Sequence, residues 1–72
     1  MNSLTIYPNP AIHKLNIPNY SRIFGKPFKI YNTLGQLSGE GIIESNYISV
    51  DYLQAGVYVL HIEHETFKFI KS

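Results

Sequence analysis

Apolar and polar residues alternate along this chain over short runs and do not follow a helical repeat. No segment of ten or more residues carries apolar side chains at the i, i+3, i+4, i+7 spacing of a helix. Short runs rich in Ile, Val, Tyr and Phe are instead separated by Gly, Pro and Asn, which indicates an all-β chain. The runs predict seven strands at residues 4–7, 14–17, 26–32, from about 36, 47–50, 57–63 and 66–71.

The segments between the runs carry recognisable turn chemistry. Asn32 begins a type I turn, and Gly35 takes the left-handed position that closes a hairpin with a bulge. Gly39 and Gly41 predict a bend or a bulge in the next strand, and the last two strands are predicted to pair across residues 64–65. Turns at intervals of about 8 to 12 residues favour an antiparallel β-sandwich of two sheets, with a closed barrel as the alternative.

The composition sets the size of the domain and excludes several classes of function. With 72 residues the chain is predicted to form one domain over 1–72, and we interpret residues 1–3 as a linker or as residues added to a natural segment. A hydrophobic share of 44% is sufficient for a core. A net charge of +1 creates no field for a polyanion, so no nucleic-acid partner is expected. No apolar run approaches the ~20 residues that cross a bilayer, so no membrane insertion is expected either.

Residues that often carry chemistry are present, but none forms a recognisable catalytic or cofactor motif. The chain has no cysteine, and no serine lies in a nucleophile motif near the three histidines, so we do not expect an enzyme. The stretch "HIEHE" at 61–65 places two imidazoles and two carboxylates within five residues. Because neighbouring residues of a strand point to opposite faces, this adjacency does not imply a metal site. We expect these side chains to be solvated, and we expect no metal and no cofactor.

Exposed aromatic side chains give the main alternative function. Tyr20, Phe24, Tyr47 and Tyr52 all lie near predicted turns. On a β-sandwich such side chains form a platform for sugar rings when they are exposed together. An alternative function is therefore that of a small carbohydrate-binding or adhesin-type module.

Four motifs in order along the chain resemble those of one protein family. They are "IYPNPA" at 6–11 followed by "KLNI", then "FKIYNTLGQL" at 28–37, "VDYLQAGVYVLHI" at 50–62, and "FKFIKS" at the end. The set resembles the C-terminal sorting domain of proteins that the type IX secretion system of Bacteroidota exports. The resemblance covers nearly the whole chain, and it depends on the order of the four motifs because each one alone is weak.

The resemblance implies a fold, a function and a route. The fold is a seven-stranded immunoglobulin-like β-sandwich, and the function is a secretion signal at the end of a larger cargo protein. The cargo passes through the periplasm and then reaches the outer membrane surface or the extracellular space. The implied partners are the outer-membrane translocon, a sortase-like surface peptidase that removes the domain in many members, and the N-terminal cargo domains of the same parent chain.

Several residues are candidates for recognition as well as for structure. Leu53, Gly56 and Tyr58 match a sandwich corner in which a tyrosine bonds back to the preceding turn. Gly35 belongs to the central turn of the family pattern. Pro8, Asn9 and Pro10 are predicted to form a rigid turn, which would be available for recognition if it is exposed.

The end of the chain is predicted to be the part that the secretion machinery reads. Lys68 and Lys71 are expected as solvated charges on the last strand, which they protect from pairing. Phe67 and Phe69 are expected to anchor this strand in the sandwich. The two lysines and a free C-terminal segment would then be offered to the translocon.

Overall fold

A computed structural model describes residues 13–17 and 20–72, whose regular elements are β-strands apart from one 3-10 turn. The described strands are β1 (Lys14–Asn16), β2 (Pro27–Asn32), β3 (Leu37–Ile42), β4 (Tyr47–Ser49), β5 (Gly56–Ile62) and β6 (Glu65–Lys71). One 3-10 turn, Tyr20–Arg22, precedes β2. The all-β prediction is confirmed. The described strands number six where seven were predicted, and the first predicted strand, 4–7, lies outside the described residues.

The strands form two antiparallel sheets. β1 pairs with β4 in a two-stranded sheet, and the larger sheet has the strand order β3-β2-β5-β6. Within the described ranges no ladder joins the two sheets, which is the arrangement of a sandwich and not of a closed barrel. The prediction of an antiparallel β-sandwich is therefore confirmed.

Side chains alternate between the core and solvent along the strands of both sheets. In β2, Phe28 and Ile30 are buried, whereas Lys29 between them is exposed. In β5, Tyr58 and Leu60 are buried in the same alternating way. Both sheets contribute to a single apolar cluster, which joins them across the sandwich. Its members are Leu15, Ile17, Ile23, Phe28, Ile30, Ile43, Ile48, Val50, Leu53, Tyr58, Leu60, Ile62 and Phe69.

The β2–β3 hairpin forms as its turn residues predict. The Gly35 N–H donates to the Asn32 carbonyl at 3.0 Å, and the Asn32 N–H donates to the Gln36 carbonyl at 3.0 Å. Gly35 has a φ of +80°, which glycine adopts without steric cost. The turn and its left-handed glycine are thus confirmed.

A bulge follows in β3, as its glycines predict. Ile30 pairs with Gly39 but Tyr31 pairs with Leu37, so Ser38 is an extra residue in the ladder. The bulge keeps Gly39 on the core side of the sheet and Leu37 on the solvent side.

The β5–β6 hairpin differs from the prediction by one residue. Ile62 pairs with Glu65, so the turn consists of Glu63 and His64 and not of residues 64–65. Glu63 has a φ of +59°, a conformation that residues with a Cβ rarely adopt. The predicted turn position was wrong because no Gly or Asn marks this loop, and alternation alone does not distinguish the two registers.

Candidate functional site

The terminal strand β6 is built into the sandwich along its whole length. Each residue from Glu65 to Lys71 has a partner in β5. Phe69 is fully buried and stacks on Tyr58 with ring centroids 5.6 Å apart, while Phe67 packs against the core. The predicted anchoring by the two phenylalanines is confirmed. β6 itself is not free, because it is paired with β5 throughout, and the role of the chain end in recognition stays a prediction.

Lys68 and Lys71 lie on opposite faces of β6. They are three positions apart, and side chains of a strand change face at every residue. Lys68 lies opposite Val59 on the solvent side and is exposed. Lys71 lies opposite Gly56, is only 8% exposed, and its Nζ donates to the Ser72 backbone oxygen at 3.2 Å. The expectation that Lys71 is a solvated charge is therefore wrong, since its stem packs toward the core beside a residue without a side chain.

The loop between β4 and β5 forms the corner that the sequence predicts. The Tyr58 hydroxyl donates to the Gln54 carbonyl at 2.7 Å. Leu53 is buried and its N–H donates to the Val50 carbonyl at 3.0 Å. Gly56, with a φ of +158°, is the first residue of β5 and lies between Gln54 and Tyr58 in the chain. The predicted bond from the tyrosine to the preceding turn is confirmed.

The solvent side of the four-stranded sheet, here called the outer face, shows rows of side chains across the strands. One row runs Leu37, Tyr31, Val59 and Lys68 from β3 to β6. The next row runs Glu40, Lys29, His61 and Thr66. The rings of Tyr31 and His61 meet edge to face at 5.1 Å, at the side of an open depression of about 290 Å³. Beyond the first row, Val57 lies opposite Ile70.

The residues of "HIEHE" point in different directions and do not converge. His61 lies on the outer face, whereas Glu65 on the core side bonds Arg22 at 3.1 Å. Glu63 in the turn lies 3.7 Å from Lys26. Among residues 13–17 and 20–72, no three or more His, Asp or Glu side chains are grouped to hold a metal ion. In the same residues, no helix has the length and apolar character needed to cross a membrane.

The aromatic residues of the alternative function lie on different elements. The Lys14 ammonium covers the Tyr47 ring at 4.9 Å on the two-stranded sheet. Tyr52 packs its hydroxyl end against Gly39 of β3, and this partial burial raises the pKa of Tyr52 above its ordinary value by desolvation. Phe24 is exposed in the loop before β2, and the Tyr20 side chain lies outside the described part of the chain.

The structure unites some of the predicted recognition residues and leaves others undescribed. Gly56, Tyr58 and Lys71 lie together at one end of the large sheet, because Gly56 pairs with Lys71. The turn that contains Gly35 lies at the same end, because Asn32 of β2 pairs with Tyr58. Pro8, Asn9 and Pro10 lie outside the described residues, so their role stays a prediction.

One exposed residue near this end was missed in the sequence. Leu34 occupies the tip of the β2–β3 hairpin and is 80% exposed. The sequence signal was available, since the turn that Asn32 begins and Gly35 closes places residue 34 at its tip. The turn pattern predicts the backbone conformation at residue 34 but not the exposure of its side chain.

Comparison with known proteins assigns the family. A family model described as "Secretion system C-terminal sorting domain" matches residues 5–72, which is nearly the whole chain. The comparisons with curated proteins and with solved structures gave no match. The family consists of secretion signals and is not a known family of enzymes, and nothing in the comparisons supports the carbohydrate-binding alternative. The chain belongs to the secretion system C-terminal sorting domain family and is a C-terminal sorting signal for type IX secretion.

Proposed function

We propose that the type IX translocon reads this domain in its folded state, through the outer-face side chains of β6. One observation carries the proposal: β6 is paired with β5 from end to end, and Phe69 at its centre is fully buried. A receptor that meets the folded domain therefore contacts the side chains of β6 that face solvent, and not an extended peptide.

Releasing β6 from the sheet would amount to unfolding the domain. Exposing a buried Phe side chain costs about 1.5–3 kcal/mol, and the ladder with β5 would be lost as well. A single core in a chain of this size supplies only about 3–5 kcal/mol in total. Recognition of a detached β6 would therefore cost most of the free energy that stabilises the domain.

The side chains that β6 offers to a receptor are those of Thr66, Lys68 and Ile70. Lys68 carries the charge of this set, and a carboxylate on the receptor is its natural partner. Lys71 faces the core and serves the fold instead. Four further candidates also serve the fold, because they build the turns that keep the outer-face surface of β6 in shape. They are Gly35, Leu53, Gly56 and Tyr58.

Membership of the family supports a route for this recognition. The domain is part of a larger cargo chain and interacts with the type IX secretion system, whose cargo is exported to the cell surface or the extracellular space. In our proposal the cargo crosses the periplasm first, and the outer-membrane translocon then recognises the domain. A sortase-like peptidase at the surface removes the domain from the N-terminal cargo domains.

A pair of charge reversals on one face tests the read surface. The whole chain is fused to the C-terminus of a periplasmic reporter in a bacterium with a type IX system. Lys68→Glu reverses the exposed charge on β6, and Lys29→Glu makes the same change on β2, two strands away on the same face. We expect Lys68→Glu to lower the exported fraction of the reporter several-fold and Lys29→Glu to leave it near the wild-type value.

Thermal unfolding of the purified chains is the control. Both side chains are exposed, and Lys29→Glu places its carboxylate opposite Glu40, so both variants should remain folded, with a loss of at most about 1 kcal/mol for Lys29→Glu. Equal export by the two variants would refute the assignment of the read surface to β6. Deleting residues 68–72 would not be a clean test, since it removes Phe69 and thereby part of the core.

A further inference from the structure

Leu34 is the most exposed large apolar side chain in the described part of the molecule, at 80%. It lies at the tip of the β2–β3 hairpin, where a polar residue would satisfy the turn equally well. The turn uses the Leu34 N–H, which donates to Asn32 Oδ1 at 2.9 Å, and makes no use of its side chain. Folding therefore gives no reason for a leucine at this position.

The turn that carries Leu34 is held by side-chain as well as backbone bonds. Asn32 Oδ1 also accepts from the Gln36 N–H at 3.0 Å, and Asn32 Nδ2 donates to Gln36 Oε1 at 2.9 Å. These bonds add to the two backbone bonds that close the hairpin and to the left-handed Gly35. The backbone of such a preorganised turn loses little conformational entropy when the side chain at its tip is bound.

Leu34 does not stand alone, because further exposed apolar side chains lie at the same end of the outer face. Leu37 is 50% exposed at the start of β3, and the opposed pair Val57 and Ile70 is 36% and 43% exposed. Single exposed apolar residues are normal, but a group of them marks a binding surface. Lys68 lies on the same face, two residues before Ile70, and gives this end a positive charge.

We infer that Leu34 is an anchor that enters an apolar pocket on the translocon protein that reads β6. This inference rests on the proposed function and extends it, because it joins the hairpin tip to the read strand in one docking surface. The partner has an apolar pocket for Leu34 and a carboxylate at the rim for Lys68. A few residues that fill desolvated pockets near the centre of an interface contribute most of its binding energy, whereas rim charges mainly affect orientation and the association rate.

Two substitutions of exposed aliphatic residues test the anchor. In the reporter fusion with the whole chain, Leu34→Ser removes the proposed anchor. Ile42→Ser is the matched control, because Ile42 is 49% exposed at the opposite end of β3 and on the same face. We expect Leu34→Ser to lower the rate of export about tenfold or more and Ile42→Ser to change it less than twofold. Unfolding temperatures of the purified chains show that both variants are folded.

A photo-crosslinking residue at position 34, and in a parallel strain at position 42, identifies what the tip contacts. A product between position 34 and an outer-membrane translocon protein, absent from position 42, supports the inference. Equal export by Leu34→Ser and wild type overturns it while the proposed function stands. A crosslinked dimer of the chain at position 34 also overturns it, since the occupant would then be a second copy. Failure of the wild-type fusion to leave the periplasm overturns the proposed function and the inference together.

Discussion

The corner bond of Tyr58 gives a sharp prediction about stability. Tyr58→Phe keeps the buried ring and its stacking on Phe69 but removes the hydroxyl that donates to the Gln54 carbonyl at 2.7 Å. A neutral intramolecular hydrogen bond contributes about 0.5–1.5 kcal/mol. Gln54 lies in an exposed loop, so water can donate to its carbonyl in the variant, and no buried acceptor is left without a partner. We therefore expect a loss of about 1 kcal/mol, near the middle of that range.

Chemical denaturation followed by circular dichroism measures this loss. For a domain of this size, 1 kcal/mol corresponds to a decrease in the unfolding temperature of about 4–8 °C. Tyr31→Phe is the control, because Tyr31 is half-buried on the outer face and removal of its hydroxyl should change stability by less than about 0.5 kcal/mol. If Tyr58→Phe is as stable as wild type, or if both variants lose the same amount, the corner bond does not stabilise the fold as argued.

Three further predictions concern positions where backbone or packing is tight. Glu63→Gly should stabilise the domain by about 0.5–1 kcal/mol, because it relieves a φ of +59° and loses only an exposed ion pair. A urea midpoint of the variant below that of wild type would contradict this. Gly41→Ala should destabilise the domain by about 1–3 kcal/mol, because a Cβ would lie 3.0 Å from the buried Phe28 ring. Gly39→Ala should cost less, since the exposed Tyr52 side chain can move away from the new Cβ. Equal unfolding temperatures of the two variants would refute the packing account. Because burial raises the pKa of Tyr52, the folded state keeps this proton to higher pH than the unfolded state. The contribution of Tyr52 to stability is therefore fully present below pH about 10 and is lost above it. Urea midpoints across this range should fall less steeply for Tyr52→Phe, and identical slopes would contradict the burial of the phenol.

Period-two alternation predicted most of the fold because each strand has one buried face. The alternation of Phe28 and Ile30 with Lys29 indicated both the strand and its orientation, and the structure confirms them. The pairing of β1 with β4, in contrast, joins residues more than thirty positions apart. No local pattern specifies such a partner, because the choice depends on which arrangement buries both apolar faces at once.

The candidate site was less predictable than the fold because its features depend on direction and exposure. Lysine is usually solvated, so Lys71 was expected at the surface, and only its odd spacing from Lys68 pointed inward. Leu34 was overlooked for the opposite reason, since an apolar residue is usually buried. In both cases the exposure of the side chain in the fold is the opposite of what its residue type usually shows. Such positions indicate where a residue serves packing or recognition in an unusual way.

The exported fraction of a reporter fused to the whole chain, compared with that of its Tyr58→Ala variant, tests most directly whether the signal is a folded domain. Tyr58→Ala removes a buried aromatic ring at a cost of about 3–5 kcal/mol, so most molecules of a domain this small should be unfolded. The substitution leaves the sequence of β6 unchanged. With total reporter quantified in both strains, we predict efficient export of the wild-type fusion and retention of the variant in the periplasm. Wild-type export by a variant that circular dichroism shows to be unfolded would contradict the account, because the linear sequence of the last strand would then be sufficient.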